Sequence, residues 1–303
     1  TSTPEEQGMS SEELAAYFST WSHEDFQLDS LLVIRHGYVV AETYSPLYDA
    51  ATPHYLFSTT KSFMSTLIGI LLQDGLLESL DTPLLALFPD RTVANVDARK
   101  EALTVRHLLM MAGGMEDNEM EAAQLGVPDT YWLAIESGDM LQYILDLPMT
   151  ADPGTQWYYA GIYPELLSII ITELTGKTAA EYAAEKLFAP LGITDFTWVE
   201  VEPGHSMGPA GLSLTPRDMA KLGYLYLRGG NWDGQQIIPA DFAAAALAKQ
   251  IPTPWDGTTY GYLFWRLEPI NMSFALGHSG QYILIFPDKD LLVVMTEIGR
   301  AHV

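Results

Sequence analysis

Strand-like segments lie at both ends of this chain, and helical patterns fill most of the stretch between them. Near the start, two apolar runs meet at His36 and Gly37, which is typical of a hairpin. Near the end, apolar runs predict strands over 260–267, 273–276, 281–286 and 291–296. These distant segments are expected to share one antiparallel sheet flanked by helices, with a mainly helical lobe inserted beside it. The predicted fold class is therefore α+β.

We expect one structural unit with two lobes. Residues 1–56 and 205–303 would form the sheet lobe, and residues 57–204 the helical lobe. Capping residues and glycines bound the predicted helices, which cover 10–21, 58–74, 104–111, 141–147, 164–175, 179–188, 216–228 and 241–249. The first helix is expected to turn Leu14, Tyr17 and Phe18 inward. The junction of the two lobes is the expected place for a functional site.

Composition excludes several classes of partner. The 303 residues include 39 acidic residues against 15 Lys and Arg, for a formal net charge of -24. This charge argues against nucleic acid or an anionic membrane surface as partner. No apolar run reaches transmembrane length. The absence of cysteine removes thiol chemistry but leaves the compartment open, and no histidine pair has the spacing of a zinc helix. Neither a metal nor an organic cofactor is expected.

Ser58 and Lys61 stand three residues apart at the start of a long apolar helical run. Residues at this spacing share one face of a helix, so the lysine nitrogen can reach the serine hydroxyl. A desolvated lysine can take the serine proton and activate the hydroxyl as a nucleophile. The free N–H groups of the helix N-terminus would also favour a developing oxyanion. In isolation, a helix cap and a surface lysine explain the pair better.

Three further segments extend the pattern. Adjacent tyrosines in 156–161 precede a predicted helix, 211–223 opens the helix that returns the chain to the sheet, and 277–281 joins two predicted strands. With Ser58 and Lys61, these segments resemble the serine β-lactamase and penicillin-binding-protein superfamily over nearly the whole chain. The chain is most similar to the class C β-lactamase-like esterases, amidases and carboxypeptidases, among them hydrolases that open 6-aminohexanoate dimers. The resemblance implies a β-lactamase/transpeptidase-like fold.

The resemblance also implies roles for individual residues. Ser58 matches the acylated nucleophile and Lys61 the base that activates it. Tyr159 matches the tyrosine of the family's Y-x-N element, which shares proton transfer and protonates the leaving group. The distance along the chain to Gly176 favours Tyr159 over Tyr158 for this role.

The implied oxyanion hole consists of the backbone N–H groups of Ser58 and Gln281, since two fixed donors can stabilise a tetrahedral intermediate. His278, Ser279 and Gly280 stand where many members have K-T-G, and they are expected to flank the substrate.

Two departures from the family pattern limit the predicted specificity. Gly161, expected to line the substrate site, lacks the side-chain amide of the asparagine in Y-x-N. His278 would bind a substrate carboxylate less firmly than lysine does. Both departures favour neutral esters or amides over a dedicated β-lactamase. The family also closes with a long helix after its last strand, for which this sequence has few residues.

The sequence therefore predicts a serine hydrolase that cleaves small ester or amide substrates through an acyl-serine intermediate. β-Lactamase or D-alanyl carboxypeptidase activity is an alternative, because pocket loops rather than catalytic motifs determine specificity. A non-catalytic binding or sensor protein of the same fold is a second alternative, which Gly161 and His278 would favour. The oligomeric state is left open.

Other polar residues are predicted to serve the fold. The acidic stretch 116–121 is expected to be a solvated loop rather than a rim of the cleft that prefers cationic groups. Three histidines and one charged pair are also assigned to structure: His36, His54, His107, Arg217 and Asp218.

Overall fold

An eight-stranded antiparallel sheet dominates the computed structural model, which describes residues 1–21 and 28–297. The strands are β1 Leu28–Arg35, β2 Tyr38–Tyr44, β3 His54–Tyr55, β4 Thr197–Trp198, β5 Glu200–Glu202, β6 His205–Ser206, β7 Leu212–Leu214, β8 Asn231–Trp232, β9 Gln235–Gln236, β10 Ile251–Pro252, β11 Thr258–Tyr260, β12 Trp265–Leu267, β13 Met272–Gly277, β14 Gln281–Phe286 and β15 Leu291–Glu297. The strand order in the large sheet is β10-β11-β12-β13-β14-β15-β1-β2, and β3, β7 and β4 form a smaller sheet.

Most of the helices lie between β3 and β10 in the chain. Their bounds are α1 Ser11–Trp21, α2 Thr60–Gln73, α3 Ala98–Glu101, α4 Val105–Leu109, α5 Glu119–Leu125, α6 Thr130–Glu136, α7 Met140–Asp146, α8 Ile162–Thr175, α9 Ala179–Ala183, α10 Pro216–Leu227 and α11 Ala240–Leu247. Among the helices of the described ranges, none has the length and apolarity that crossing a membrane requires.

β1 and β15, which come from distant parts of the chain, are neighbours in the large sheet. β15 pairs with β14 on one side and with β1 on the other, so that Val294 lies opposite both Ile283 and Leu32. Alternate residues of β15 point to opposite faces. Leu292 lies against α10 at Gly223, whereas Val293 belongs to an apolar cluster on the other face. Apolar packing on both faces explains why β1 is buried along most of its length, whereas β14 and β15 alternate between buried and half-buried residues.

The expected α+β class is confirmed, and so is the hairpin at His36 and Gly37, both of which have positive φ. The inward assignment of Tyr17 is wrong, because 56% of that residue is exposed, whereas Leu14 and Phe18 are half-buried. The residues after Glu297, where a closing helix of the family would fall, lie outside the described part of the chain.

The single strand predicted over 260–267 is also wrong. The structure has β11 and β12 there, separated by residues 261–264. The break arises because this backbone bonds to helices: Tyr262 donates to the Ala246 carbonyl at 3.1 Å and Leu263 to the Leu109 carbonyl at 2.8 Å. A Cβ on Gly261 would lie 2.0 Å from that same Ala246 oxygen. The apolar run therefore contains a helix-contacting corner as well as two short strands.

We expect Gly277→Ala to destabilise the junction between the sheet and α2. A Cβ on Gly277 would lie 2.2 Å from the Leu56 carbonyl oxygen, and a backbone atom cannot move aside as a side chain does. The expected loss is about 1–3 kcal/mol in the free energy of unfolding, measured by urea titration. Ser279→Ala, in the same hairpin, serves as the control. Equal unfolding free energies for both variants would contradict the close approach.

Candidate active site

Ser58 lies in a tight 3₁₀ turn, Phe57–Thr59, that leads directly into α2. The preceding Phe57 has φ +47°, a conformation that costs energy for a bulky residue and that commonly occurs at functional sites. The turn is anchored to the small sheet, because the Leu56 amide donates to the Leu212 carbonyl at 2.8 Å. Ser58 itself remains half-buried, so its hydroxyl lies at the edge of the protein interior.

Lys61 is buried next to this serine. Its Nζ donates to Ser58 Oγ and to the Pro209 carbonyl oxygen, both at 2.9 Å. Only 3% of the residue is exposed. Burial of an amine without partners is costly, so these two bonds fix where the nitrogen can be. The sequence-predicted pair is therefore in direct contact.

The ring of Tyr159 covers the same amine. Lys61 Nζ lies 4.7 Å from the ring centroid, within the range of a cation–π contact. Tyr158 points elsewhere: its hydroxyl accepts from the Met120 amide at 3.1 Å and donates to Glu121. Of the two adjacent tyrosines, Tyr159 is the one that the fold brings to Ser58 and Lys61.

The hairpin between β13 and β14 forms the opposite edge of the site. The Thr59 hydroxyl donates to the Gln281 carbonyl at 3.0 Å, which ties this strand to the turn that carries Ser58. The exposed His278 ring lies 5.5 Å from the Phe57 ring, edge to face. Positive φ values at Ser279 (+59°) and Gly280 (+84°) turn the chain back into β14. Segments 156–161, 211–223 and 277–281 thus all contact the turn or the helix that carries Ser58 and Lys61.

Glu119 is a site residue that the sequence did not reveal. Its carboxylate accepts a hydrogen bond from the Gly161 amide, at the position where the family's Y-x-N has asparagine. Burial raises the pKa of this carboxyl, and the nearby charge of Lys61 opposes that rise. The prediction of a solvated loop over 116–121 is therefore wrong at Glu119, which begins α5 and faces inward. The signal was present in the sequence as an acidic stretch but was indistinguishable from a surface loop.

Glu165 is buried behind the same part of the site. Its Oε2 accepts from the Tyr131 hydroxyl at 3.1 Å and from the Gly208 amide at 2.9 Å. Gly208 adjoins Pro209, whose carbonyl binds Lys61. Burial raises the pKa of Glu165 to about 7, although both hydrogen bonds oppose the rise. Burial likewise raises the pKa of Asp117 to about 7. Two acids near the site thus titrate close to neutrality.

Five aromatic side chains form a surface that we call the aromatic shelf: Trp157, Tyr159, Trp255, Tyr260 and Trp265. The Tyr159 ring stacks on Trp265 with 5.9 Å between centroids. Trp265 in turn lies 5.6 Å from Trp255, of which 49% is exposed. The shelf therefore leads from the amine of Lys61 to solvent. Sequence spacing gave no sign of it, because its members come from distant segments.

The residues assigned to structure contribute to the fold. His107 Nδ1 accepts from the Thr104 amide at 3.1 Å at the start of α4. Arg217 donates twice to Glu42, and the Thr215 hydroxyl donates to Asp218 at 2.8 Å at the start of α10. Within residues 1–21 and 28–297, no three His, Asp or Glu side chains converge as ligands for a metal ion.

A family model described as Beta-lactamase matches residues 23–297. The chain belongs to the beta-lactamase family. The 6-aminohexanoate-dimer hydrolase of Paenarthrobacter ureafaciens is 25% identical over 287 residues, which cover 89% of this chain and 72% of that relative. Esterase EstB of Burkholderia gladioli is 25% identical over 186 residues, which cover 57% of this chain and 47% of the esterase.

A solved structure shows the same fold. The octameric penicillin-binding protein homologue from Pyrococcus abyssi aligns with a TM-score of 0.73 at 20% identity, covering 97% of this chain and 75% of that one. The expected family and fold are thus confirmed. This beta-lactamase family member is a hydrolase of the β-lactamase and penicillin-binding-protein fold.

We expect Glu165→Gln to change how stability depends on pH. Burial raises the pKa of Glu165 from an ordinary 4.5 to about 7, so the folded state binds a proton more tightly than the unfolded state. Stability contributed by this group is present below pH 4.5 and is lost as pH rises to about 7, at a cost of about 3 kcal/mol. Glutamine keeps an acceptor oxygen but cannot ionise.

Urea unfolding at pH 5 and pH 8 measures the effect. The loss of stability between these pH values should be smaller in Glu165→Gln than in the wild type. Glu173→Gln, exposed on the same helix, should behave as the wild type does. An identical loss in all three proteins would show that Glu165 ionises normally in the folded state.

Proposed function

We propose that this protein is a serine hydrolase that cleaves small ester or amide substrates through an acyl-Ser58 intermediate. The observation that carries the proposal is the 2.9 Å contact between Lys61 Nζ and Ser58 Oγ in a buried setting. A nucleophile within hydrogen-bond reach of its base is the geometric requirement for this chemistry.

In the first half-reaction, Ser58 Oγ bonds to the substrate carbonyl carbon while its proton passes to Lys61 Nζ, which acts as the general base. The tetrahedral intermediate then breaks its bond to the leaving group, which takes a proton by way of Lys61 and Tyr159. In the second half-reaction, water gives up a proton to the same groups and attacks the acyl carbon. The acid is released and Ser58 regains its proton, so that the enzyme is unchanged.

The negative oxygen of the tetrahedral intermediate needs donors that are already in position. The backbone N–H groups of Ser58 and Gln281 are the proposed donors. Support comes from the Thr59–Gln281 hydrogen bond, which holds the strand edge beside the serine turn. Because one donor comes from a helix start and the other from a strand, substrate binding does not have to assemble the pair.

The aromatic shelf supports esters with apolar or aromatic acyl groups as the preferred substrates. Trp255 offers an exposed ring at the outer end, and Tyr159 lies against Lys61 at the inner end. An apolar acyl chain laid along this surface would bury area that an acetyl group does not reach. His278 at the strand edge has no fixed charge that would select a substrate carboxylate.

We expect Ser58→Ala to reduce hydrolysis of p-nitrophenyl butyrate to the background rate without loss of thermal stability. The reason is that the variant lacks the atom that is acylated. Intact-mass measurement after incubation with a fluorophosphonate provides the second readout, with one adduct on the wild type and none on the variant. A wild type without an adduct would instead favour the non-catalytic binding protein. Penicillin in the same assay tests for β-lactam acylation.

We expect Lys61→Met to slow Ser58 acylation by about 10²–10⁴-fold, because the serine loses its general base. Methionine extends as far as the lysine Cε, with sulfur in place of Cδ, and lacks the amine. Stopped-flow measurement of the acylation burst gives the rate, and Lys289→Met on the surface is the control. Burst kinetics equal to those of the wild type would exclude Lys61 as the base.

We expect Trp255→Ala to raise the KM for p-nitrophenyl octanoate about tenfold and to leave the KM for the acetate nearly unchanged. Loss of the exposed ring removes contact area worth about 1–2 kcal/mol to a long acyl chain only. The control is Tyr38→Ala, which removes a ring of similar exposure from the distant edge strand β2. Parallel changes for both esters would argue against the shelf as the acyl site.

A further inference from the structure

Glu165 is fully buried in α8, where an apolar side chain would be less costly to bury. A carboxyl group that leaves water has to be compensated by hydrogen bonds. Within the described residues, Glu165 Oε1 has no hydrogen-bond partner, so the compensation falls on Oε2. That oxygen accepts from the Tyr131 hydroxyl at 3.1 Å and from the Gly208 amide at 2.9 Å. The cost of burying this acid thus points to a role for one of these two contacts.

The Gly208 amide belongs to the loop that binds Lys61. The next residue is Pro209, whose carbonyl oxygen accepts from Lys61 Nζ at 2.9 Å. Because the proline ring fixes its φ at about -65°, little rotation is left between the Gly208 amide and the Pro209 carbonyl. The hydrogen bond from Gly208 to Glu165 therefore restricts the direction of the carbonyl group that receives the lysine amine.

The loop and the start of α8 are also in direct backbone contact. A Cβ on Gly208 would lie 2.1 Å from the Pro164 carbonyl oxygen and 2.7 Å from Glu165 Cα. The Glu165 amide in turn donates to the Gly161 carbonyl at 3.2 Å, which fixes this residue in the first turn of α8. Close packing sets the distance between the loop and the helix, whereas the Glu165 carboxyl group sets the orientation of the Gly208 amide.

We propose that Glu165 is a positioning residue for Lys61, and that it acts through the hydrogen-bonded Gly208 amide. This inference rests on the proposed acylation of Ser58. Lys61 Nζ donates to the Pro209 carbonyl on one side and to Ser58 Oγ on the other, both at 2.9 Å. An amine that is held by a fixed carbonyl has fewer directions in which to move away from the serine. Loss of the Glu165 contact should free the loop and slow acylation.

The first experiment compares two replacements of Glu165. Glu165→Gln keeps an acceptor oxygen for the Gly208 amide, whereas Glu165→Leu offers only apolar atoms. Acylation of Ser58 by a fluorophosphonate is followed by intact mass at pH 8, and urea unfolding verifies that each variant is folded. Glu165→Leu should slow acylation about 10–100-fold, whereas Glu165→Gln should stay within about threefold of the wild type.

Ser168→Ala is the matched control for loss of a buried hydrogen bond. Ser168 lies fully buried on the same helix, and its hydroxyl donates to the Ser206 carbonyl at 2.6 Å. The variant thus weakens the contact between α8 and the segment that leads to Gly208, without removing the partner of that amide. It should lower the free energy of unfolding but leave the acylation rate within about threefold of the wild type.

The second experiment separates positioning of Lys61 from general damage to the site. Glu165→Leu is combined with Lys61→Met, and the acylation rates of the wild type, both single variants and the double variant are compared. If Glu165 acts through the lysine amine, its loss has no further effect once that amine is absent. The double variant and Lys61→Met should therefore agree within about twofold. A purely structural role predicts the same proportional loss with or without Lys61.

Tyr131→Phe repeats this comparison with a smaller change, in case Glu165→Leu does not fold. The variant removes one donor to Glu165 Oε2 and keeps the ring. Acylation should slow about threefold or more in the wild-type background and should not change in the Lys61→Met background.

The inference is overturned if Glu165→Leu acylates as fast as the wild type, or if its loss is equally large in both Lys61 backgrounds. It is also overturned if Ser168→Ala slows acylation as strongly. Failure of the proposed function looks different, because the wild type then forms no adduct on Ser58 or Lys61→Met acylates at the wild-type rate. A labelled Ser58 and a slow Lys61→Met variant, with Glu165→Leu unaffected, remove the positioning role alone.

Discussion

The contacts of the buried Lys61 amine are the interactions on which the rest of the site depends. Three elements meet around its nitrogen: the turn that carries Ser58, the loop that presents the Pro209 carbonyl, and the ring of Tyr159. An amine without these partners would be costly to bury, so the position of each element constrains the other two. The contacts that satisfy this one buried amine thus fix the relative positions of the residues around it.

Sequence was informative wherever geometry is local. The Ser58 and Lys61 contact follows from helical spacing, and the first hairpin follows from two residues that favour positive φ. The fold class also followed, because strands at both ends have to pair. Glu119 could not be predicted in this way. Its partner amide is 42 residues away, and a carboxylate in an acidic stretch looks solvated until the fold buries it. The aromatic shelf could not be predicted for the same reason, because its rings come from segments that lie far apart in the sequence and follow no common spacing.

Two acids near the site can be protonated at neutral pH, although the protein as a whole is strongly acidic. The protein has a formal net charge of -24, yet it places Asp117 and Glu165 in surroundings that disfavour ionisation. Both can hold a proton near neutral pH, which avoids the larger cost of an unpaired buried charge. Burial raises the pKa of Glu119 as well, but the nearby charge of Lys61 opposes that rise. The local charge around Lys61 is consequently less negative than residue counting suggests.

The position of β15 has a consequence for biosynthesis. β15 comes after all the other strands of the sheet in the chain, yet it lies between β14 and the β1–β2 hairpin and pairs with both β14 and β1. A ribosome delivers β15 after the serine turn and the helices that surround it. Until it emerges, β1 and β14 each keep an unpaired edge that can pair with another chain. The nascent protein is therefore expected to need chaperone protection until β15 has been made, after which this single strand completes the sheet.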